Sequence, residues 1–267
     1  MEAAFFDLDK TIIARSSALV FGRPFYKEGL ITRSHIVKGM YAQLVYHLVG
    51  ADENKMDRMR EALLELTKGW DKGRVSQLVR ETLTELIDPI IFEEALELIE
   101  EHRIAGRRVF IVSSSAEEIV KPLAEYLGVP NVIATRAKVD ENGLYTGELE
   151  FYAYAEGKRE AILAEAARTG LDLPRSYAYS DSVTDLPMLE SVGHPHAVNP
   201  DKELRKIAEE REWPILEFRN PVSLRRRIAE RVPRPSPTAA ALAGATVLAV
   251  IAWAWLRRTR GERRAAA

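Results

Sequence analysis

Cysteine is absent from all 267 residues. That excludes a disulfide scaffold, a thiol nucleophile and a thiolate-bound metal, and it suits a reducing compartment. Glycine-rich phosphate loops are missing too: Gly50, Gly69 and Gly73 stand alone at turns or helix ends, with no G-x-G-x-x-G or Walker spacing. The N-terminus M-E-A-A-F-F-D has no basic region followed by an apolar stretch and a small-residue cleavage site, so no signal peptide is expected. Repeats at solenoid spacing are also lacking.

Charge is nearly balanced overall, at a formal net −2, but it is unevenly spread. Residues 219–267 carry 11 Arg against 2 Glu, which leaves 27 basic and 38 acidic side chains on residues 1–218. Phosphate backbones need concentrated Lys and Arg on the surface that holds them, and the aromatic residues do not alternate with basic positions. No nucleic-acid partner is expected for the acidic body.

What is present is enough apolar sequence, 46% of residues, for one substantial core and an accessory domain. The run Ala3-Ala4-Phe5-Phe6 ends abruptly at Asp7-Leu8-Asp9, as a buried parallel strand delivering polar side chains at its C-terminal end would; an ordinary surface turn reads the same way. From about Tyr26 to Leu86 the apolar spacing is helical, through Ile36, Met40, Leu44 and Leu48 and then Met59, Leu63 and Leu66. Pro89 is expected to open a helix reaching Glu101, followed by a strand over 107–112 and the polar stop Ser113-Ser114-Ser115. A helix over 117–127 capped by Gly128, a strand over 132–135, and a hairpin turning at Asp140-Glu141-Asn142-Gly143 come next. A helix over 158–168 and short strands at 177–179 and 197–198 complete an α/β rhythm in which strands end in polar residues. His194 and His196 lack a third patterned ligand and are read as a loop before the last strand rather than a zinc site.

Beyond residue 220 the composition changes. Pro233, Pro235 and Pro237 alternate in a stiff linker, and 238–256 is a charge-free stretch of 19 residues. As a helix that stretch would cover roughly 28 Å, near the thickness of a hydrocarbon core, with Trp253 and Trp255 toward one end. An Ala-rich helix packed on the body is the alternative. A single-pass C-terminal membrane anchor with the body in the cytoplasm is expected, although Arg-rich flanks on both sides leave orientation undecided.

The chemistry concentrates in carboxylates. Asp7 and Asp9 sit two apart where a strand opens into a loop, so one could attack phosphorus while the other gives and takes a proton. Asp181 and Asp185 follow another apolar strand, and carboxylates converging without His or Cys suit a hard, oxygen-liganded cation such as Mg²⁺. An anionic substrate facing such a cluster requires that cation and a lysine, for which Lys158 after Gly157 is the candidate. Ser113 can donate to a phosphoryl oxygen; alone, Ser113–Ser115 also reads as a helix-capping cluster.

Taken together, Phe5-Phe6-Asp7-Leu8-Asp9-Lys10-Thr11, Ser113, Lys158 and the Asp181/Asp185 pair resemble the four ordered motifs of the haloacid dehalogenase superfamily. The likeness is strongest to subfamily IB, its phosphoserine-phosphatase-like members. It spans about residues 3–218.

The resemblance implies an α/β, Rossmann-like core with a parallel sheet over 1–16 and 87–218, and a C1-type helical cap over 17–86. Outside these lie the basic Pro-rich linker 219–237, the membrane helix 238–256 and a basic tail over 257–267. It assigns Asp7 as nucleophile, Asp9 as general acid and base, Thr11 as support of the first loop, and Ser113 and Lys158 as phosphoryl-binding groups. Mg²⁺ falls to Asp7, Asp9 through its main-chain carbonyl, Asp181 and Asp185. The expected activity is hydrolysis of a phosphorylated small molecule or lipid headgroup through an aspartyl-phosphate. Phosphoryl transfer to an alcohol or sugar, and a non-catalytic membrane-tethered phosphate-binding protein, are the alternatives.

Several positions depart from the family pattern. Ser114, Ser115, Ser180 and Ser182 stand where glycine is usual, Thr184 stands where Asn is typical, and Ile12 to Ser17 lacks the acidic residue expected for an amino-acid substrate. Arg15, Arg23, Lys27 and Arg33 are candidate partners for a second anionic group on the substrate, and equally read as solvated surface charges.

Overall fold

The computed structural model describes residues 1–32 and 53–224, the backbone alone for 53–59. Its centre is strand β1 (Ala3–Phe6), whose four side chains are all fully buried. Burial on both faces is why this strand is a continuous apolar run instead of an alternating one. Ala4 and Phe6 join one core with Val109, Ile111 and Tyr179, while Ala3 and Phe5 join the other with Phe110, Val112 and Ala178.

Seven strands form the main sheet in the order β5-β4-β3-β1-β6-β7-β8. These are β3 (Arg108–Ala116), β4 (Asn131–Val139), β5 (Tyr145–Phe151), β6 (Tyr177–Ser180), β7 (His194–Val198) and β8 (Ile215–Leu216) beside β1. All neighbours pair in parallel except β4 with β5. From β1 the chain first builds outward through β3, β4 and β5, then returns to add β6, β7 and β8 on the other side. The reversal falls between β1 and β6, and open α/β sheets bind ligands outside the C-terminal strand ends at such a point.

Helices cover both faces. Helices α4 (Lys72–Leu86), α5 (Glu93–Ile104) and α6 (Glu117–Tyr126) bury Val79, Leu83, Ile99 and Leu123 in the core that holds Phe6. Helices α7 (Glu156–Thr169), α8 (Leu186–Leu189) and α9 (Lys202–Glu210) bury Ile162, Met188, Leu189 and Leu204 in the core that holds Phe5. This is the expected α/β fold with a Rossmann-like core.

Between residues 17 and 86 the described regular structure is helical, with α1 (Ser17–Val20), α2 (Gly22–Lys27), α3 (Glu53–Thr67) and α4. Ile36, Met40, Leu44, Leu48 and Arg33 lie outside the described residues. The β4–β5 hairpin turns where the sequence predicts, with Asp140 Oδ1 accepting the amides of Asn142 and Leu144, both at 2.9 Å. Its tip holds the α3–α4 junction: Tyr145 N donates to Trp70 O at 3.0 Å and Lys72 N to Gly143 O at 3.1 Å.

Three expectations change. Pro89 lies in a 3₁₀ turn (Asp88–Ile90), not at the start of a helix, because Ile91 and Phe92 extend as β2 and pair antiparallel with β9 (Pro221–Val222); α5 begins only at Glu93. Ordered structure therefore reaches past residue 218. His194 and His196 belong to β7, not to a loop, since β6 pairs with them in register, and their rings stack on Tyr177 and Tyr179.

The membrane expectation is corrected as well. No helix among the described residues is long and apolar enough to cross a membrane. The stretch 238–256 and the tail 257–267 lie outside the described residues. Eight of the 19 residues of 238–256 are alanine, which contributes little to partitioning, so freedom from charge is a weak basis for a single-pass anchor and a membrane location.

Candidate active site

Sheet register brings the separate motifs together. Phe6 pairs with Ile111 on one side and Tyr179 on the other, so Asp7 emerges beside the Val112-Ser113 end of β3 and the Ser180-Asp181 end of β6. Asp7 N donates to Tyr179 O at 2.9 Å, holding the nucleophile candidate against β6. Beyond it the chain turns tightly, with Lys10 at φ 61° and the amides of Ile12 and Ile13 both returning to Leu8 O. A non-glycine residue in the left-handed region costs about 1–3 kcal/mol, strain that clusters at functional sites.

Lys158 enters at the N-terminal end of α7. Its Nζ donates to Asp7 Oδ1 at 2.6 Å and to Asp185 Oδ2 at 2.7 Å, and all three side chains are buried. Ser180 Oγ donates to the same Asp185 oxygen at 2.6 Å. Asp185 is thus engaged by the lysine and a serine, an arrangement that aims Lys158 at Asp7. The turn before Lys158 depends on Gly157: a Cβ there would lie 2.1 Å from Tyr152 O.

Electrostatics follow from crowding carboxylates out of water. Burial, reinforced by the charges of Asp185 and Asp181, pushes Asp7 well above the usual carboxylate range despite the opposing pull of Lys158. Burial carries Asp181 to about 7, with Lys10 opposing and Asp185 and Asp201 adding to the rise. Lys158 is held above the ordinary lysine value because two carboxylates outweigh its desolvation. Lys10 Nζ reaches Asp181 at 3.8 Å from a half-exposed position at the mouth.

Asp9 is placed differently. Its Oδ1 accepts Ser17 N at 2.9 Å, and its Oδ2 faces the hydroxyls of Ser17 at 3.2 Å, Ser16 at 3.4 Å and Ser115 at 3.4 Å. Burial nonetheless raises its pKa, the donors only moderating the rise. A carboxyl of this kind can hold a proton for a leaving group and accept one later.

Ser113 is buried, and its Oγ accepts Ser115 N at 3.2 Å. Thr11 is fully buried and its Oγ1 has no hydrogen-bond partner. Arg15, Arg23 and Lys27 are exposed, away from this cluster's hydrogen bonds. Ser17, Ser115, Ser180 and Asp201 were not singled out from sequence as groups of the site. Asp201 N donates to Asp181 O at 2.7 Å and its Oδ2 accepts Val183 N at 2.9 Å, which fixes the loop after β6. The only signal for Ser115 and Ser180 was the presence of hydroxyls where the family pattern has glycine, and Ser17 carried no signal.

The donor set fits Mg²⁺. Asp7 and Asp181 are hard oxygen donors on adjacent strand ends, raised by burial and repulsion in a way a cation would relieve. Among the described residues no three His, Asp or Glu side chains form a metal-holding group. A two-carboxylate site completed by main-chain oxygen, water and substrate phosphate is the usual Mg²⁺ arrangement.

Similarity to known proteins agrees with this geometry. Residues 4–190 match the model of haloacid dehalogenase-like hydrolases. An "inhibition of morphological differentiation protein" of Streptomyces azureus is 53% identical over 96% of this chain and 94% of its own length. A probable phosphatase of Mycobacterium tuberculosis is 52% identical over 94% of this chain and 85% of its own. Among solved structures, a Bordetella pertussis protein of unknown function superposes with a TM-score of 0.71 at 28% identity, over 80% of this chain and 97% of that one. With the motifs gathered at the sheet's switch point, the chain belongs to the haloacid dehalogenase-like hydrolases and is an enzyme of their phosphatase class.

Proposed function

We propose that the protein is a Mg²⁺-dependent phosphomonoester hydrolase that works through an aspartyl-phosphate on Asp7 and acts on a small phosphorylated metabolite. The observation that carries this reading is the buried Asp7–Lys158–Asp185 chain, in which one ammonium serves two carboxylates at 2.6 and 2.7 Å. Such a site is charged for transferring a phosphoryl group, not for storing structure.

Asp7 and Asp181 through their side chains, and Asp9 through its main-chain carbonyl, would hold Mg²⁺. When bound, the cation supplies positive charge that offsets the carboxylates and draws electron density from the phosphoryl group. Lys158 and Ser113 bind phosphoryl oxygens, and Asp185 with Ser180 keeps Lys158 in place. An Asp7 carboxylate oxygen forms a bond to phosphorus as the bond to the leaving oxygen breaks. The leaving oxygen takes that electron pair and the proton of Asp9, and departs as the alcohol. Asp9, now a carboxylate, removes a proton from water as the water oxygen bonds to phosphorus. The P–O bond to Asp7 breaks, its electron pair returns to the carboxylate, and inorganic phosphate is released.

The helical insertion over 17–86 is read as the cap that closes on the substrate and excludes water. Arg15, Arg23 and Lys27, exposed in the stretch that follows the first motif, and Arg33 are the groups proposed to meet a second anionic group. The missing acidic residue in 12–17 speaks against phosphoserine as substrate.

A phosphomonoester panel with purified protein tests the reading. Hydrolysis is expected with Mg²⁺, is abolished by chelation, and falls at least about 10³-fold in Asp7→Asn. Borohydride trapping during turnover should mark Asp7. Hydrolysis that survives either chelation or Asp7→Asn refutes the mechanism.

A further inference from the structure

Ser115 and Ser17 reach the same oxygen of Asp9 from different elements. Ser17 opens α1 on the insertion side, whereas Ser115 belongs to β3, the strand that carries Ser113. Their hydroxyls lie 2.8 Å apart, and both face Asp9 Oδ2, at 3.2 and 3.4 Å. The other Asp9 oxygen is anchored by the Ser17 amide at 2.9 Å. We propose that Ser115 and Ser17 form a hydroxyl clamp that orients the Asp9 carboxyl toward the leaving-group oxygen, making both positioning residues; this rests on the mechanism proposed above.

A carboxyl held through one oxygen can still turn about its own axis, and the hydroxyl pair, beside Ser16 Oγ at 3.4 Å from the same Oδ2, removes that freedom. The pair holds two hydrogens: one lies between the two oxygens and the other remains for Asp9. A hydroxyl also accepts. The clamp therefore keeps a partner for Asp9 whether its Oδ2 carries the proton or has just given it away, which neither a lysine nor a second carboxylate could do.

Placement relative to phosphorus is fixed as well. Ser115 N donates to Ser113 Oγ at 3.2 Å, so the residue touching the acid is tied to the residue that binds the phosphoryl group. A glycine at 115, as in the family pattern, would keep this amide hydrogen bond but has no hydroxyl with which to reach Asp9. Misplacing a reacting group by about 1 Å can cost about 10²-fold in rate.

The test uses the full chain with Mg²⁺ and two aryl esters, p-nitrophenyl phosphate and phenyl phosphate. The nitrophenolate departs with little help from an acid, whereas phenolate needs the proton of Asp9. In Ser115→Ala the ratio of kcat/KM for phenyl phosphate to that for p-nitrophenyl phosphate should fall about 10-fold from the wild-type ratio. Ser115→Thr, which keeps the hydroxyl, should restore it. Adding Ser17→Ala should change the ratio little further, because the pair acts as a unit. If Ser115→Ala lowers both substrates equally, or leaves the ratio unchanged, the clamp has no role in proton delivery and the proposal falls. Failure of the wild type to hydrolyse either ester with Mg²⁺ would instead overturn the mechanism beneath it, before any variant is made.

Discussion

At the residue scale, Lys158 supplies the positive charge that Asp7 and Asp185 share. Removing its charge leaves Asp7 and Asp185 without their shared counter-charge, with only Ser180 Oγ still donating to Asp185, and breaking a buried ion pair costs about 3–5 kcal/mol. Lys158→Met is expected to lose about that much in urea unfolding, and Lys158→Met/Asp185→Asn to recover part of it. A loss that does not respond to the second change would mean that packing, not charge, sets the cost. His102 offers a pH test away from the site. It is buried, with Nδ1 toward Arg107 at 3.3 Å and Nε2 toward Tyr179 Oη at 2.9 Å. Since a guanidinium only donates, Nδ1 must accept and Nε2 carries the proton. Burial, with the charges of Arg107 and His196, lowers its pKa to about 4. Between about 6.5 and 4 the unfolded chain binds the proton that the folded chain refuses, so stability falls as the pH drops through this window. By pH 5 the loss should be about 2 kcal/mol relative to pH 7, and His102→Gln should flatten that slope. Equal slopes in both proteins would assign the effect elsewhere.

At the element scale, both ends of α7 require glycine, for different physical reasons. At the N-terminal end a Cβ on Gly157 would collide with Tyr152 O, so Gly157→Ala must shift the first turn and Lys158 with it. It is expected to cost about 1–3 kcal/mol and to lower hydrolysis at least tenfold. At the other end Gly170 caps the helix at φ 70° with open space where a Cβ would stand. Gly170→Ala should cost about 1 kcal/mol through backbone strain alone and leave kcat/KM unchanged. Parallel unfolding and rate measurements separate a helix that positions chemistry from one that only packs. The β4–β5 hairpin acts on the same principle, since its tip makes main-chain hydrogen bonds to the turn joining α3 to α4.

At the scale of the whole molecule, the compact unit runs from Met1 to Leu224. Its last segment is tied down by the β2–β9 pair, by Asn220 Nδ2 donating to Glu94 at 2.8 Å, and by Ser223 donating to Asp88. A chain stopped after Leu224 is expected to unfold within about 0.5 kcal/mol of the full-length protein, whereas one stopped after Phe218 should lose about 2 kcal/mol. Equal stability of the two truncations would show that β9 contributes nothing.

Much of this was legible along the chain. Ala3–Phe6 was legible as a doubly buried strand because nothing polar interrupts it, and the Asp140–Gly143 turn announced its hairpin through local side-chain chemistry. Asp7, Asp9, Lys158, Asp181 and Asp185 stood out because their order and spacing carry a family pattern that requires no knowledge of distance. The tertiary structure alone decided which groups meet: Asp185 against Lys158, Ser115 against Ser17 and Asp9, and β9 against β2, separated by 27, 98 and about 130 residues. Local propensity is blind to such pairings, since a serine that caps a helix and one that clamps a catalytic acid look identical until the sheet register sets their neighbours.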